Sequence, residues 1–356
     1  MINDVCSEFK SGKNIKADSI SESGEYPVYG GNGLRGYTAS YNHEGLYVLI
    51  GRQGALCGNV RSVYGKTYIT EHAIAVAGNE KSNTNFLHYL FLKMNLGQYS
   101  DQSAQPGLAV NKLLKLKVAL PIISEQTKIA KLLSLLDERI ATQNKIIEDL
   151  KMLKSAIIEK VFNGKHSEKL QLNDVGSYIR GLTYSSNDVV EHGGTLVMRS
   201  NNIINGSLLD YNNNVVFVNK QMSAEQQLQD GDVVICMANG SSSLVGKSSF
   251  YDGSCHSPIT VGAFCGIYRS KESIVKWLFQ TNKYRRYIWN SLQGGNGAIA
   301  NLNGEDILNM SFSIPNATIK DTCVKMLTSV DSALENNMSL CALYTLQKQI
   351  LLLLVQ

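Results

Sequence analysis

The stretch Leu113-Leu-Lys-Leu-Lys-Val-Ala-Leu-Pro121 recurs in pattern as Ile307-Leu-Asn-Met-Ser-Phe-Ser-Ile-Pro315. Leu113 answers to Ile307, Leu114 to Leu308, Leu116 to Met310, Val118 to Phe312, Leu120 to Ile314 and Pro121 to Pro315, at a constant offset of 194 positions. Alternating apolar and polar residues closed by proline read as a strand, used twice. Three positions beyond each proline stand Ser124 and Thr318, side chains suited to accept an N–H at a helix start.

A long helical pattern follows each of these caps. With a and d positions three and four apart, the first helix places Leu133, Ile140, Ile147, Lys154 and Val161 at a, and Leu136, Gln143, Leu150 and Ile157 at d. The second places Leu327, Leu334, Cys341, Lys348 and Val355 at a, and Val330, Asn337, Tyr344 and Leu351 at d. The polar interruptions coincide too, Gln143 with Asn337 and Lys154 with Lys348. Polar residues in an apolar seam lower stability but fix register and pairing. Their shared placement predicts that the two helices pair with each other.

The repeat continues upstream more loosely. Asn3-Asp4-Val5 returns as Asn173-Asp174-Val175, and Phe86-Leu-His-Tyr-Leu-Phe91 as Ile274-Val-Lys-Trp-Leu-Phe279. Val48-Leu-Ile50 and the following Gly-Arg-Gln-Gly-Ala-Leu-Cys-Gly58 parallel Val233-Val-Ile235 and the stretch ending Asn239-Gly-Ser-Ser-Ser-Leu-Val-Gly-Lys-Ser248. The last segment resembles a phosphate-binding loop, but such a loop needs four residues between its first glycine and Gly-Lys-Ser, and five separate Gly240 from Gly246. The repeat explains the glycines instead: Gly54 answers to Gly240 and Gly58 to Gly246, with two residues inserted.

At 356 residues the chain is long enough for two or more cores. Its net charge of +4 does not announce nucleic acid, and no segment is a basic tail, so any nucleic-acid contact is local or shared with a more basic partner. Its cysteines form no C-x-x-C pair and read as free buried thiols. No signal peptide is evident at the N-terminus, and the apolar run Ile350 to Val355 is too short to span a bilayer, so the chain is read as soluble and cytoplasmic.

The predicted plan is therefore a globular unit over 1–112, a strand and long helix over 113–165, a second globular unit over 166–306, and a second strand and helix over 307–356. The fold class is α+β: two mixed α/β globular domains on two long helices that pair as an antiparallel coiled coil, with a pseudo-two-fold internal repeat. Each helix of roughly 38 residues would span about 57 Å at ~1.5 Å per residue. That exceeds one turn of DNA, about 34–36 Å.

The residues at this point carry a resemblance. Gly24-Glu-Tyr-Pro-Val-Tyr-Gly-Gly-Asn-Gly33, Ile50-Gly-Arg-Gln-Gly-Ala-Leu-Cys-Gly58, Gln105-Pro-Gly-Leu-Ala-Val-Asn111 and Leu120-Pro-Ile-Ile-Ser-Glu-Gln-Thr-Lys-Ile-Ala130 resemble the specificity subunit of type I restriction-modification systems over nearly the whole chain. The resemblance implies two target recognition domains, each reading one half of a split site in double-stranded DNA. It also implies a helical spacer that docks two methyltransferase (M) subunits, to which restriction (R) subunits add. The second repeat differs in having Thr318-Ile-Lys320 where the first has Ser124-Glu-Gln126.

No chemistry of its own is expected of the chain, and no cofactor or metal. Its prolines, 27, 106, 121, 258 and 315, are never adjacent, so the Asn/Asp-Pro-Pro-aromatic motif of amino-methyltransferases is absent, and none is followed by the acidic residue of a common nuclease core. Base reading needs Arg for guanine and Asn or Gln for adenine, displayed on turns. In the first unit those candidates are Tyr29, Asn32, Arg35, Arg52, Gln53 and Gln105; in the second, Arg199, Asn201, Asn202, Asn239, Ser241, Lys247 and Asn296. Each is equally a polar turn residue facing solvent. Lys283, Arg285 and Arg286, interleaved with Tyr284, Tyr287 and Trp289, could contact phosphates, or could be the wet face of a helix whose Tyr284, Tyr287 and Ile288 face the core. Two different recognition units predict a non-palindromic target. A pseudo-symmetric coiled-coil scaffold that binds proteins and no DNA is the rival from another class.

Overall fold

A computed structural model describes residues 1–101, 106–164, 168–292 and 300–355. They divide into two units, one made of Met1–Lys145 with Asn337–Gln356 and the other of Ile146–Asn336. Each long helix therefore contributes one half to each unit.

The first unit opens with β1 (Cys6–Ser11), β2 (Tyr26–Gly30), β3 (Gly33–Thr38), β4 (His43–Gly51), β5 (Val60–Ile69) and β6 (Ala73–Gly78), in one sheet of order β1-β6-β4-β5-β2-β3. β5 and β6 flank β4, with Thr67 opposite His43 and Ala73 opposite Gly51. A straight β4 would separate those two places by about 26 Å at ~3.3 Å per residue. The six links from Thr67 to Ala73 reach at most about 21 Å, so the ribbon must coil. It does so where Gly45 (φ +116°) faces Gly65 (φ +95°), left-handed backbone that glycine alone adopts without strain. The helix α1 (Thr84–Met94), started by Asn83, whose Oδ1 accepts from Phe86 N at 3.1 Å, buries Phe86, Leu87, Leu90 and Phe91 in this unit's core. Then come α2 (Val110–Leu114) and the long α3 (Ile123–Phe162).

The second unit holds β7 (Glu168–Gln171), α4 (Leu172–Val175), β8 (Gly176–Arg180), β9 (Val189–Val190), β10 (Thr195–Met198), β11 (Val216–Val218), β12 (Val233–Cys236), β13 (Ala238–Asn239), β14 (Ser248–Phe250), β15 (Ile259–Val261) and β16 (Cys265–Ser270). After these come α5 (Val275–Leu278), α6 (Asn282–Leu292), β17 (Ala300–Asn301), α7 (Gly304–Leu308), β18 (Ser311–Ile314) and the long α8 (Ala317–Leu353). Two four-stranded sheets, β15-β10-β11-β9 and β14-β12-β16-β8, form its body. Trp277, Tyr268, Phe279, Phe312 and Leu327 fill the larger of its cores.

The structure departs from two local expectations. Only the second copy of the opening stretch forms a strand: β18 pairs with β7, whereas residues 115–122 form no strand. The two copies nevertheless keep one backbone anchor in common: Leu172 N donates to Met310 O at 3.0 Å, and Ile2 N to Leu116 O at 3.0 Å. Nor do Ser124 and Thr318 cap their helices. Both lie inside, and α8 is capped by Asn316, whose Oδ1 accepts from Ile319 N at 3.1 Å.

In both units the long helices run antiparallel. In the first, Asp137 meets Lys348, Gln143 Nε2 donates to Asn337 Oδ1, and Arg139 stacks over Tyr344. In the second, Lys154 meets Asp331, while Ile158 and Phe162 share a core with Leu327. Leu133, Leu136, Gln143, Ile147, Leu327, Val330 and Leu334 are buried, and Ile140, Leu150, Ile157, Asn337, Tyr344 and Leu351 half-buried.

The segment after β12 is not a phosphate loop, since a strand and not a helix follows Lys247. Gly246 is small because α6 presses on it: a Cβ there would lie 2.7 Å from Ile288. Tyr284 Oη donates to Gly246 O at 2.8 Å, and burial pushes this phenol's pKa up, keeping it a donor. All seven cysteines are free, and burial pushes the thiols of Cys6 and Cys265 up to about 12. Among the described residues no helix is long and apolar enough to cross a membrane, and no group of three or more His, Cys, Asp or Glu could hold a metal ion.

Candidate nucleic-acid interface

The coiling of β4 and β5 gathers three turns at one edge of the first unit. These are Gly30–Gly33 between β2 and β3, Arg52–Gly54 after β4, and Thr70–His72 between β5 and β6. Backbone bonds fix them: Arg52 N donates to His72 O at 2.9 Å, Thr70 N to Tyr29 O at 2.9 Å, and Leu108 N to Arg52 O at 2.9 Å. Gly31 and Gly51 permit the approach, because a Cβ at Gly31 would lie 2.7 Å from His72 O and one at Gly51 2.8 Å from Gly31 O.

On this edge Asn32, Arg35 and Gln53 are exposed, and Arg52 and Tyr29 half-buried. Arg52 Nη1 donates to Ser11 Oγ at 3.1 Å, and Gln53 Oε1 lies 3.1 Å from His72 Nδ1. Arg61 from β5 joins them, its guanidinium seated against Gly33. Among the described residues, none of Arg35, Arg52 and Arg61 forms an ion pair. Unneutralised arginines around a glycine turn are donors in want of acceptors. Gln105 lies outside the described residues.

The second unit builds the same edge from its own residues. Gly262 N donates to Met198 O at 2.8 Å, Met237 N to Phe264 O at 2.9 Å, and Leu302 N to Met237 O at 2.8 Å. These bonds match the three of the first unit one for one. They place Met237 where the first unit has Arg52, Phe264 where it has His72, and Leu302 where it has Leu108. Asn239 Nδ2 donates to Ser200 Oγ at 3.2 Å, drawing the 239–241 turn against the 199–202 turn. Arg199, Asn201 and Ser241 are exposed there, although Arg199 Nη2 also donates to Asn214 O at 3.1 Å. Lys247 is half-buried.

Asn202 is a correction. It is 1% exposed, its Nδ2 donates to Asp210 O at 3.0 Å and Asn213 O at 2.8 Å, and its Oδ1 accepts from Arg199 N at 2.9 Å. Its amide is spent shaping the turn and cannot read a base. Asn296 lies outside the described residues. On α6, Tyr284 and Ile288 are buried while Arg285, Arg286 and Trp289 are exposed. Lys283 lies over the rings of Tyr287 and Phe312, at 5.9 and 5.7 Å from their centroids.

Sequence reasoning missed Arg61, His72 and Phe264, and the last is 68% exposed. Matched hydrogen bonds bring His72 and Phe264 to these edges, and the coiling of β5 brings Arg61 to Gly33. It also missed what the seam lysines do. Lys154 Nζ pairs with Asp331 at 2.6 Å, both side chains over nine-tenths buried, and Trp277 Nε1 donates to the same aspartate at 3.0 Å. In the first unit Lys348 pairs with Asp137, which accepts from Tyr89 Oη at 2.9 Å. The offset of 194 was a usable signal, since Asp137 and Asp331 obey it as Lys154 and Lys348 do.

Each unit thus carries an edge of polar and aromatic turns together with a stretch of paired antiparallel helix. Residues 1–152 and 165–340 each match the type I restriction modification DNA specificity domain, and the chain belongs to that family. It is 46% identical over 134 residues to the EcoprrI specificity subunit of Escherichia coli, a match covering 36% of this chain and 33% of that protein. It is 33% identical over 158 residues to the EcoKI specificity subunit of E. coli K12, covering 42% and 31%. The matched stretches thus span about a third of these relatives. The fold is similar to that of a type I restriction-modification S subunit from M. genitalium, with a TM-score of 0.71 at 15% identity over 99% of this chain and 93% of that one.

Proposed function

We propose that the chain is the non-catalytic DNA sequence-recognition subunit of a type I restriction-modification complex, acting in the cytoplasm. Each unit reads one half of a split, non-palindromic site in double-stranded DNA. The observation that carries this reading is the pair of matched edges with unlike side chains. Where the first presents Arg52 and His72, the second presents Phe264 in the place of His72 and buries Met237 in the place of Arg52, on the same backbone hydrogen bonds. Equal scaffolds with different donors, acceptors and apolar groups select different bases, because each base pair shows its own pattern in the major groove.

The long helices serve as the docking place for two methyltransferase (M) subunits and, through them, restriction (R) subunits. Leu132, Leu135, Met152 and Leu153 on α3, and Leu340, Leu343, Leu346 and Leu353 on α8, are exposed outside the paired seam. Apolar residues left in contact with water at this density suit a protein partner. The chain itself needs no cofactor or metal for this role.

The test is a genome-wide map of adenine methylation in cells with and without the gene, its methyltransferase partner being present. One motif with two short specified halves around an unspecified gap is expected to depend on the gene. An unchanged map, with protein and active partner both present, would move the protein-only scaffold to the front.

A further inference from the structure

Arg61 stands apart from the other basic residues of the first edge. It is half-buried near the start of β5, with Leu49 opposite it, and its guanidinium lies in a notch left by Gly33. A Cβ at Gly33 would lie 2.4 Å from Arg61 Nη1 and 2.8 Å from Cζ, and Gly33 has φ +108°, so the notch exists only because this residue is glycine. The Arg61 guanidinium nevertheless has no hydrogen-bond or ion-pair partner among the described residues. A guanidinium carries five N–H donors in a rigid fork. Holding that fork against backbone removes rotamer freedom before any ligand arrives, which is the arrangement that favours geometry-dependent recognition. The neighbouring Arg35 is exposed, with only its stem against Gly30, and suits a phosphate that needs charge without fixed direction.

We infer that Arg61 is a specificity-determining residue of the first unit and reads a guanine, donating both arms of its fork to O6 and N7 in the major groove. This rests on the DNA-reading role proposed above and adds that the half-site of the first unit contains a guanine at one defined position. Bidentate Arg to guanine is the commonest specific contact of proteins with DNA. Asn32, exposed in the turn that forms the notch, is then beside the same or the adjacent base pair.

The experiment uses the full chain with its methyltransferase partner and a DNA pool randomised over the half-sites, scored by methylation and by bound fraction at several salt concentrations. For Arg61→Ala, preference for guanine is expected to fall about tenfold or more at one position, with all others unchanged. Arg61→Lys should not restore it, because an ammonium lacks the fork. Arg61→Gln should transfer the preference at that position from guanine to adenine, a gain that misfolding cannot imitate. Equal weakening on every sequence, with a salt slope lower by about one and rescue by lysine, would reassign Arg61 to a phosphate and overturn the inference. So would unchanged selection by both Arg61→Ala and Arg61→Gln. If the unaltered protein selects no sequence at all, the DNA-reading role fails instead.

Discussion

Lys154 and Asp331 show how far a single residue's role depends on its partner. A buried ammonium beside a buried carboxylate is only a weak source of net stability, since both were taken out of water, but removing one partner leaves the other uncompensated. Asp331→Ala is therefore expected to cost about 3–5 kcal/mol in the unfolding of the second unit, also leaving Trp277 Nε1 unpaired. The double change Lys154→Met with Asp331→Leu should cost less, because no Lys154 ammonium is then left buried without its carboxylate, although Trp277 Nε1 loses its acceptor in both variants. Denaturant titrations followed by the buried Trp277 would measure both, and equal losses in the two variants would show that packing, not charge, is what matters there. His88 in the first unit behaves differently. Burial lowers its pKa to about 4 against the attraction of Asp137, and its Nδ1 has no partner among the described residues. The unfolded chain takes up the proton first, near pH 6.5, so this contribution to stability is complete above that pH and is lost as pH falls towards about 4. His88→Gln should flatten that decline in unfolding midpoints measured across the range.

Two elements carry most of the geometry, a ribbon shaped by glycine and a pair of helices keyed by polar residues. In the β4–β5 ribbon, Gly45 and Gly65 face one another with nothing within 4 Å of a Cβ added at either. Their requirement is therefore one of backbone conformation and not of space. Gly65→Ala at φ +95° is expected to destabilise the first unit by about 1–2 kcal/mol, although it creates no clash. Thermal unfolding checks this, and a neutral result would mean that the coil tolerates ordinary strand geometry. In the paired helices the a and d positions are the buried or half-buried ones in both copies, and the polar members bond across the seam. Gln143 bonds Asn337, whereas the lysines find aspartates on the opposite helix and not each other. The seam is thus keyed by polar pairs that lock one register.

At the scale of the molecule, two units with one plan and different surfaces are expected, under the proposed DNA-reading role, to read independently. Phe264→Ala is expected to relax selection in only one half of the target, at a position where an apolar contact favours a thymine methyl, and to leave the other half untouched. Combined with Arg61→Ala, the losses should add within a few tenths of a kcal/mol, because the residues lie in different units and share no partner. Half-site selection on the randomised pool measures all three variants. A change in both halves from Phe264→Ala alone would contradict independent reading.

Much of this protein's fold was legible in its residues. The repeat at 194, the heptad positions and the pairing of Gln143 with Asn337 follow from apolar and polar patterning along the chain, where periodicity reports which face is buried. What only the tertiary structure decided depends on hydrogen-bond partners far apart in the chain. Residues 115–122 form no strand although 311–314 do, Asn202 is consumed inside its turn, and Asp137 and Asp331 receive lysines from the opposite helix. Arg61 reaches Gly33 only because the ribbon coils, and His72 and Phe264 occupy one place on two edges only because the same backbone bonds hold them. Periodicity encodes burial along one element, but the meeting of turns from several strands is set by the closing of the sheet, which no window of sequence contains.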